Sequence, residues 1–316
     1  MLIFIKNLKG KNVIKNVMIT TKNNIYLAPL DNVNCASFRL LCKECGAGLV
    51  STPMINTKSF IRERENFYWY KNEQPLLAQF IGSEPDEFKE CVQELDNCDV
   101  IDLNAGCPSD DQIKAGNGAA LLKDLPLMKR IIKTMVKYSP VPVSVKIRKG
   151  WEEDDCIKIG LLIEAAGAEF ITLHPRTKFE GYGTPADWSA VKKLKKSVKI
   201  PVIASGDLLT PENVKECFDK TECDAVMIGR AAINNPFIFR DSEDYLKTNE
   251  LVKHSKIERI NLIKRFIELY HKYEKRYDLA ELRNHCAWLV KEFKGARKLR
   301  DNIGRCKTEE EILKII

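Results

Sequence analysis

The chain has 316 residues, 44% hydrophobic and 30% charged, as in an ordinary folded protein. That length admits one domain of about 250 residues with a small companion, or two medium ones. No apolar run approaches the roughly 18 residues of a membrane span. The opening MLIFI is too short for a signal core, so a cytoplasmic protein without membrane association is expected.

Residues 1–24, with LIFIKNL and NVMITT either side of a polar stretch holding Gly10, read as an N-terminal hairpin closing the bottom of the fold. Eight short apolar runs come next: Ile25–Ala28, Ala47–Ser51, Pro75–Ile81, Val100–Asn104, Val141–Ile147, Phe170–His174, Ile200–Ser205 and Ala225–Gly229. They are continuous rather than alternating, the pattern of parallel strands buried on both faces. Between them, Pro85–Leu95, Leu127–Tyr138, Asp154–Ala166, Trp188–Lys195 and Pro211–Phe218 have helical spacing, and Thr210 caps the last of these ahead of Pro211. Repeated strand–helix units predict an α/β fold, a (β/α)₈ TIM barrel, over residues 25–240. A linker at 241–255 leads to amphipathic helices over 256–316, expected to form an all-helical C-terminal domain.

Charge and cysteine content narrow the chemistry. The net charge is +7, and the stretch from Lys272 to Lys307 holds 11 Lys/Arg against 5 Asp/Glu, an excess of six. Nearly all of the net charge therefore lies in the C-terminal helices, either as a solvated face or as a polyanion footprint. Eleven cysteines are scattered without a second C-x-x-C pair, so no metal site is expected, and Cys42 and Cys45 read as structural thiols.

In a barrel the active site gathers at the C-terminal ends of the strands. Polar and glycine residues cluster there: Ala28-Pro29-Leu30-Asp31, Gln79, Asn104-Ala105-Gly106-Cys107-Pro108, Lys146 with Arg148, His174-Pro175-Arg176, Ser205-Gly206-Asp207 and Gly229-Arg230. Gly206 and Gly229-Arg230, after the seventh and eighth runs, suit a phosphate held by backbone N–H groups and a guanidinium. Lys146 interrupts an apolar run, where an unpaired ammonium is unfavourable. With His174 it could face an electron-rich ring such as a reduced flavin. Cys107 sits between Gly106 and Pro108, on a stiff turn at the mouth.

These segments together resemble the tRNA-dihydrouridine synthases from about Tyr26 to Lys314. The resemblance rests on LAPLDNVNCASFR (27–39), QFIGSEPDEF (79–88), IDLNAGCPSDDQIKAGNGAALL (101–122), VSVKIRKGW (143–151), ITLHPRTKFEGYGTPADW (171–188), VIASGDLLTPENV (202–214) and DAVMIGRAAINNPFIF (224–239). It implies FMN lying against Pro29, Leu30 and Asp31, with Gln79, Lys146 and His174 on its ring or ribityl chain. Ser205, Gly206, Asp207, Gly229 and Arg230 would hold its phosphate, Asn104 would orient the uracil or the flavin, and Arg176 would contact the RNA. Cys107 would be the catalytic acid, protonating C5 as hydride reaches C6. NADPH or NADH would be the reductant, tRNA the partner gripped by residues 256–316, and a monomer the working form, with no obligate protein partner. The first motif departs from the family at Leu30, Asp31, Asn32, Asn34 and Cys35, and the seventh-strand motif at Ser205. The rival expectations are an FMN barrel acting on a small pyrimidine and a tRNA-binding protein without turnover.

Overall fold

The computed structural model describes residues 20–95 and 97–316. The expected N-terminal hairpin, residues 1–24, lies outside these up to residue 19. Among the described residues run nine parallel strands: β1 (Ile25–Leu27), β2 (Val50–Ser51), β3 (Ile55–Asn56), β4 (Leu76–Ile81), β5 (Val100–Ala105), β6 (Val143–Gly150), β7 (Phe170–Thr177), β8 (Val202–Ser205) and β9 (Ala225–Ile228). Helices α1 (Ala36–Glu44), α2 (Thr57–Arg62), α3 (Pro85–Gln93), α4 (Asp110–Lys114), α5 (Leu125–Tyr138), α6 (Cys156–Ala166), α7 (Trp188–Ser197), α8 (Pro211–Thr221), α9 (Arg230–Asn234) and α10 (Ile238–Thr248) succeed or link them. The strand order β1-β9-β8-β7-β6-β5-β4-β2 is that of a barrel in which each strand lies beside its neighbour in sequence.

Among the described residues, closure between β1 and β2 rests on one bridge, Tyr26 to Leu49, with Leu27 N donating to Leu49 O and Gly48 N to Ile25 O, both at 2.9 Å. Side chains reinforce it. Ser51 Oγ donates to Leu27 O at 2.7 Å, and Asn34 Nδ2 donates to both Ala28 O and Ser51 O at 2.8 Å. Gly48 is obligatory here, because a Cβ would lie 2.3 Å from Asn23 O.

The two faces of the strands feed two cores. Tyr26, Leu77, Val100, Phe170, Ile203 and Met227 fill the barrel interior, while residues alternating with them, such as Leu27, Phe80, Leu103 and Leu173, pack outward against the helices. This double burial is why the strands read as continuous apolar runs. The sequence boundaries differ in three places. The second run holds only a two-residue strand, β3 pairs with β4 beside it, and β6 and β7 run on to Gly150 and Thr177. The expected linker is helical as far as Thr248, because α10 packs on α8 and β1.

The chain ends in α11 (Lys256–Tyr273), α12 (Leu279–Leu289), α13 (Ala296–Arg305) and α14 (Glu309–Ile315). Ser255 and Glu258 form a reciprocal capping box at the start of α11. Helix α11 lies along α1, and Phe266, Ile267, Leu282, Leu289 and Ile312 belong to the same apolar cluster as Phe38 and Leu41. Cys42 and Cys45 are buried at 0% and 4% exposure, inside α1 and at its end, as the reading of structural thiols expects.

Candidate active site

The register of the central strands builds the site in layers. In β5, Asp102 and Asn104 alternate with Ile101 and Leu103, so both polar side chains enter the barrel. Gln79 lies opposite Asp102, Asp102 opposite Ser144, and Asn104 opposite Lys146, which is itself opposite Thr172. The lower residues form a hydrogen-bonded relay. Asp102 accepts from Ser144 Oγ and, at 2.8 Å, from Gln79 Nε2, while Gln79 Oε1 accepts from Asn104 Nδ2 at 2.9 Å. Burial raises the Asp102 carboxyl to about 6, against the hydrogen bonds from Ser144 and Gln79 and the charge of Lys146.

That relay fixes the turn carrying Cys107. Asn104 Oδ1 accepts the backbone N–H of Gly106 at 3.1 Å and of Cys107 at 2.9 Å. Cys107 O accepts Ala119 N at 2.9 Å, and Gly118, at φ +61°, lies so close that a Cβ would sit 2.8 Å from that oxygen. The half-buried thiol is thus held from both sides at the mouth. Arg148, only 4% exposed, ties together the loops beyond β5 and β7: it donates to Gly106 O, Thr177 O and Glu180 O.

Lys146 projects into the same space. Burial lowers its ammonium to about 8, with Arg148 adding to the drop and Asp102 and Cys107 opposing it. Among the described residues no side chain or carbonyl hydrogen-bonds or ion-pairs with it. Thr172 Oγ1, on the adjacent strand, is likewise buried with no hydrogen-bond partner among the described residues. A half-buried cation and a buried hydroxyl, neither with a hydrogen-bond partner among the described residues, suit the electron-rich edge of a flavin ring.

His174 closes the layer. Burial, then the charges of Lys146, Arg148, Arg176 and Arg230, push its imidazole down to about 2, so it is neutral. Its Nε2 lies 3.0 Å from Arg176 Nη1, an obligate donor, which leaves the proton on Nδ1. Gly206, at φ +100°, makes room for the ring: a Cβ would stand 2.8 Å from His174 Cδ2.

Several expected site residues take different places. Arg176, expected to contact RNA, is 1% exposed. It donates to both Asp207 oxygens at 2.8 and 2.7 Å, to Thr184 O at 2.6 Å and to His174, so its guanidinium is engaged within the loops after β7 and β8. Asp207, expected at the phosphate, gives its carboxylate to Arg176 and, at 2.7 Å, to Ala186 N; its acid form is correspondingly disfavoured, against the effect of partial burial. Ser205 Oγ donates to Met227 O at 3.0 Å, inside the barrel wall. Asp31 is exposed, its carboxylate accepting from Asn32 Nδ2, whereas Leu30 reaches Gly229. Gly229 caps α9, whose first residue Arg230 stacks 3.9 Å above the Tyr182 ring. Asp102, Ser144 and Tyr182 were not among the expected site residues, and Arg148 was placed at a strand end without a role. An aspartate within the apolar run VIDLNA was the available signal for the first of these.

Comparison with known proteins bears on the family and the fold. The family model described as "Dihydrouridine synthase (Dus)" matches residues 26–316. The chain is 32% identical over 297 residues to tRNA-dihydrouridine synthase B of Pseudomonas aeruginosa, covering 90% of this chain and 89% of the relative. It is 33% identical to tRNA-dihydrouridine synthase B of Pasteurella multocida, with coverages of 85% and 84%. Among solved structures, histamine dehydrogenase from Rhizobium sp. 4-9 superposes with a TM-score of 0.54 at 11% identity, over 79% of this chain and 49% of that one, a likeness of fold. With a family model spanning all but the first residues, and relatives this similar over most of their length, the chain belongs to the dihydrouridine synthase family.

Proposed function

We propose that this chain reduces the C5–C6 bond of uridines in tRNA to 5,6-dihydrouridine, with FMN as cofactor, NADPH or NADH as reductant and Cys107 as the acid. The observation that carries the reading is the Cys107 turn, locked by Asn104 beside a half-buried Lys146 that lacks an acceptor among the described residues. Bound FMN would supply hydride to C6 of the uracil. Lys146 and His174 would line the ring edge, Gln79 the ribityl side, and Pro29 and Leu30 one wall. Backbone N–H groups around Ser205, Gly206, Asp207 and Gly229, with the Arg230 guanidinium, would take the phosphate.

Cys107 would give its proton to C5 and recover one from solvent. A thiol is required for this, and the cluster of Lys146, Arg148, Arg176 and Arg230 would also stabilise negative charge near the ring. Arg176 would act indirectly, holding His174 and the loop after β7 in place. A uridine inside folded RNA cannot reach a barrel mouth, so the base would be extruded while α11–α14 hold the tRNA by shape and charge. A monomer working in the cytoplasm leaves the mouth open to such a substrate.

The test is anaerobic. The flavin is reduced, and its reoxidation is followed with and without unmodified tRNA. Reoxidation by tRNA that leaves dihydrouridine in the product supports the proposal. Reoxidation by a small pyrimidine and not by tRNA would replace it with the rival FMN barrel.

A further inference from the structure

Helix α1 begins without a cap of its own. Cys35 is its N-cap residue and makes no side-chain cap bond, and the first turn carries no acid. Sulfur is a weak acceptor, and burial, reinforced by Glu274 and Glu281, pushes the Cys35 thiol far above its usual range, so it carries no charge either. Preferred caps are Ser, Thr, Asp and Asn, each accepting an N–H of the first turn.

The missing acceptor comes from the other end of the molecule. Glu274, the residue that ends α11, accepts Ser37 N at 2.7 Å and Ser37 Oγ at 2.8 Å through Oε1. Its Oε2 accepts Tyr68 Oη at 2.7 Å. A carboxylate at a helix N-terminus also meets the positive end of the helix dipole. Neighbouring contacts run along the same seam: His285 Nε2 lies 2.9 Å from Val33 O, and Tyr70 Oη donates to Tyr273 O at 2.8 Å. At the far end of α1, Glu44 pairs with Arg265 of α11 at 2.8 Å. The two helices are therefore clasped at both ends, and the clasp at Glu274 lies directly behind the loop 29–35.

We propose that Glu274 is a positioning residue for the reaction: it supplies from the C-terminal helices the cap that α1 lacks, and so ties the seating of tRNA on those helices to the flavin-facing loop at Leu30. This rests on the proposed flavin and tRNA chemistry. It adds that the loop after β1 is held in working order from outside the barrel.

The test uses the full chain as E274A and as the double variant C35D/E274A, in which a cap of ordinary type is restored within α1 itself. For each we would measure thermal melting, FMN affinity by fluorescence titration, tRNA affinity, and the single-turnover rate of flavin reoxidation at saturating tRNA. E274A loses charge-assisted hydrogen bonds, so FMN affinity and the reoxidation rate should each fall about tenfold. The tRNA affinity should hold, because the basic faces are untouched. The double variant should regain FMN affinity and melting temperature while its reoxidation rate stays low, since the tie between tRNA and loop remains broken. E274Q, which keeps an acceptor for Ser37, should stay close to wild type, and Y68F should show a partial loss if E274A does not fold.

Unchanged FMN affinity and rate in E274A would overturn the proposal. Full recovery of both in C35D/E274A would reduce Glu274 to an ordinary cap and overturn the tie. A wild type not reoxidised by tRNA would remove the underlying chemistry, and FMN affinity in E274A reports on the cap independently of that result.

Discussion

Replacing Lys146 by methionine should make the cofactor-free protein more stable and the enzyme inactive. The fold holds the ammonium at about 8 instead of its ordinary 10.5, chiefly through burial. With each tenfold change in proton affinity worth about 1.4 kcal/mol, that difference corresponds to roughly 3 kcal/mol surrendered at neutral pH. Part of it returns on mutation, because Asp102, already raised to about 6, loses the cation that lowers it. Halving the figure leaves about 1.5 kcal/mol, which for a chain of this size is a melting-temperature rise of about 2 °C. The sign with pH follows from the depressed value. Between pH 8 and 10.5 the unfolded chain binds more protons than the folded one, so wild-type stability rises through that window and the advantage of K146M shrinks. Melts of the flavin-free proteins at about pH 7 and pH 10 check this. Added FMN should reverse the order at neutral pH, stabilising wild type far more than the variant. A flavin-free K146M that melts below wild type at neutral pH would show the ammonium to be stabilising, and the reasoning would fail.

C107S should keep its flavin and lose tRNA-driven reoxidation by about 10²-fold or more, the usual worth of a positioned acid; rapid-mixing absorbance decides. N104A should free the N–H groups of Gly106 and Cys107 and slow the same step with little change in FMN content. D102N should flatten an acid-side slope: a carboxyl raised from 3.8 to about 6 contributes stability present below about pH 4 and lost as pH rises through 6, so denaturant melts at about pH 4 and pH 7 should differ less in the variant. Reversing Lys294 and Lys298 to glutamate on α13 and the turn before it should weaken tRNA binding and reduce its salt slope by about one per lost phosphate contact.

Deleting residues 256–316 would be a poor test of RNA binding. Phe266 and His285 stack 4.8 Å apart, and His285 lies 5.6 Å from Phe38 of α1. Removal would strip α1 of its partner and of its cap together. Charge reversal on the outer faces leaves that packing alone.

Much of the fold was legible because strands buried on both faces leave an unmistakable apolar run, as in VSVKI and FITL. The extra strand β3 was not, since two residues carry no periodicity and pair only because β4 passes beside them. In the site, glycine and cysteine positions announced themselves through their neighbours, and Lys146 through the apolar residues around it. For Arg176, only the fold reveals that Asp207, 31 residues later, receives its guanidinium. Asp102 belonged to the same class of signal as Lys146 and went unread. Glu274 carried no signal at all: nothing in the sequence near residue 274 indicates that its partner is Ser37.

The seam between β1 and β2 has a consequence for how the barrel breathes. Around the rest of the ring, ladders of paired strands hold neighbour to neighbour; here, among the described residues, one bridge and three side-chain bonds from Ser51 and Asn34 take their place. Amide protons of Leu27 and Gly48 should therefore exchange with solvent sooner than those of β5 and β6. On that expectation the barrel would open like a bracelet at its clasp, and the clasp lies under the loop that follows β1.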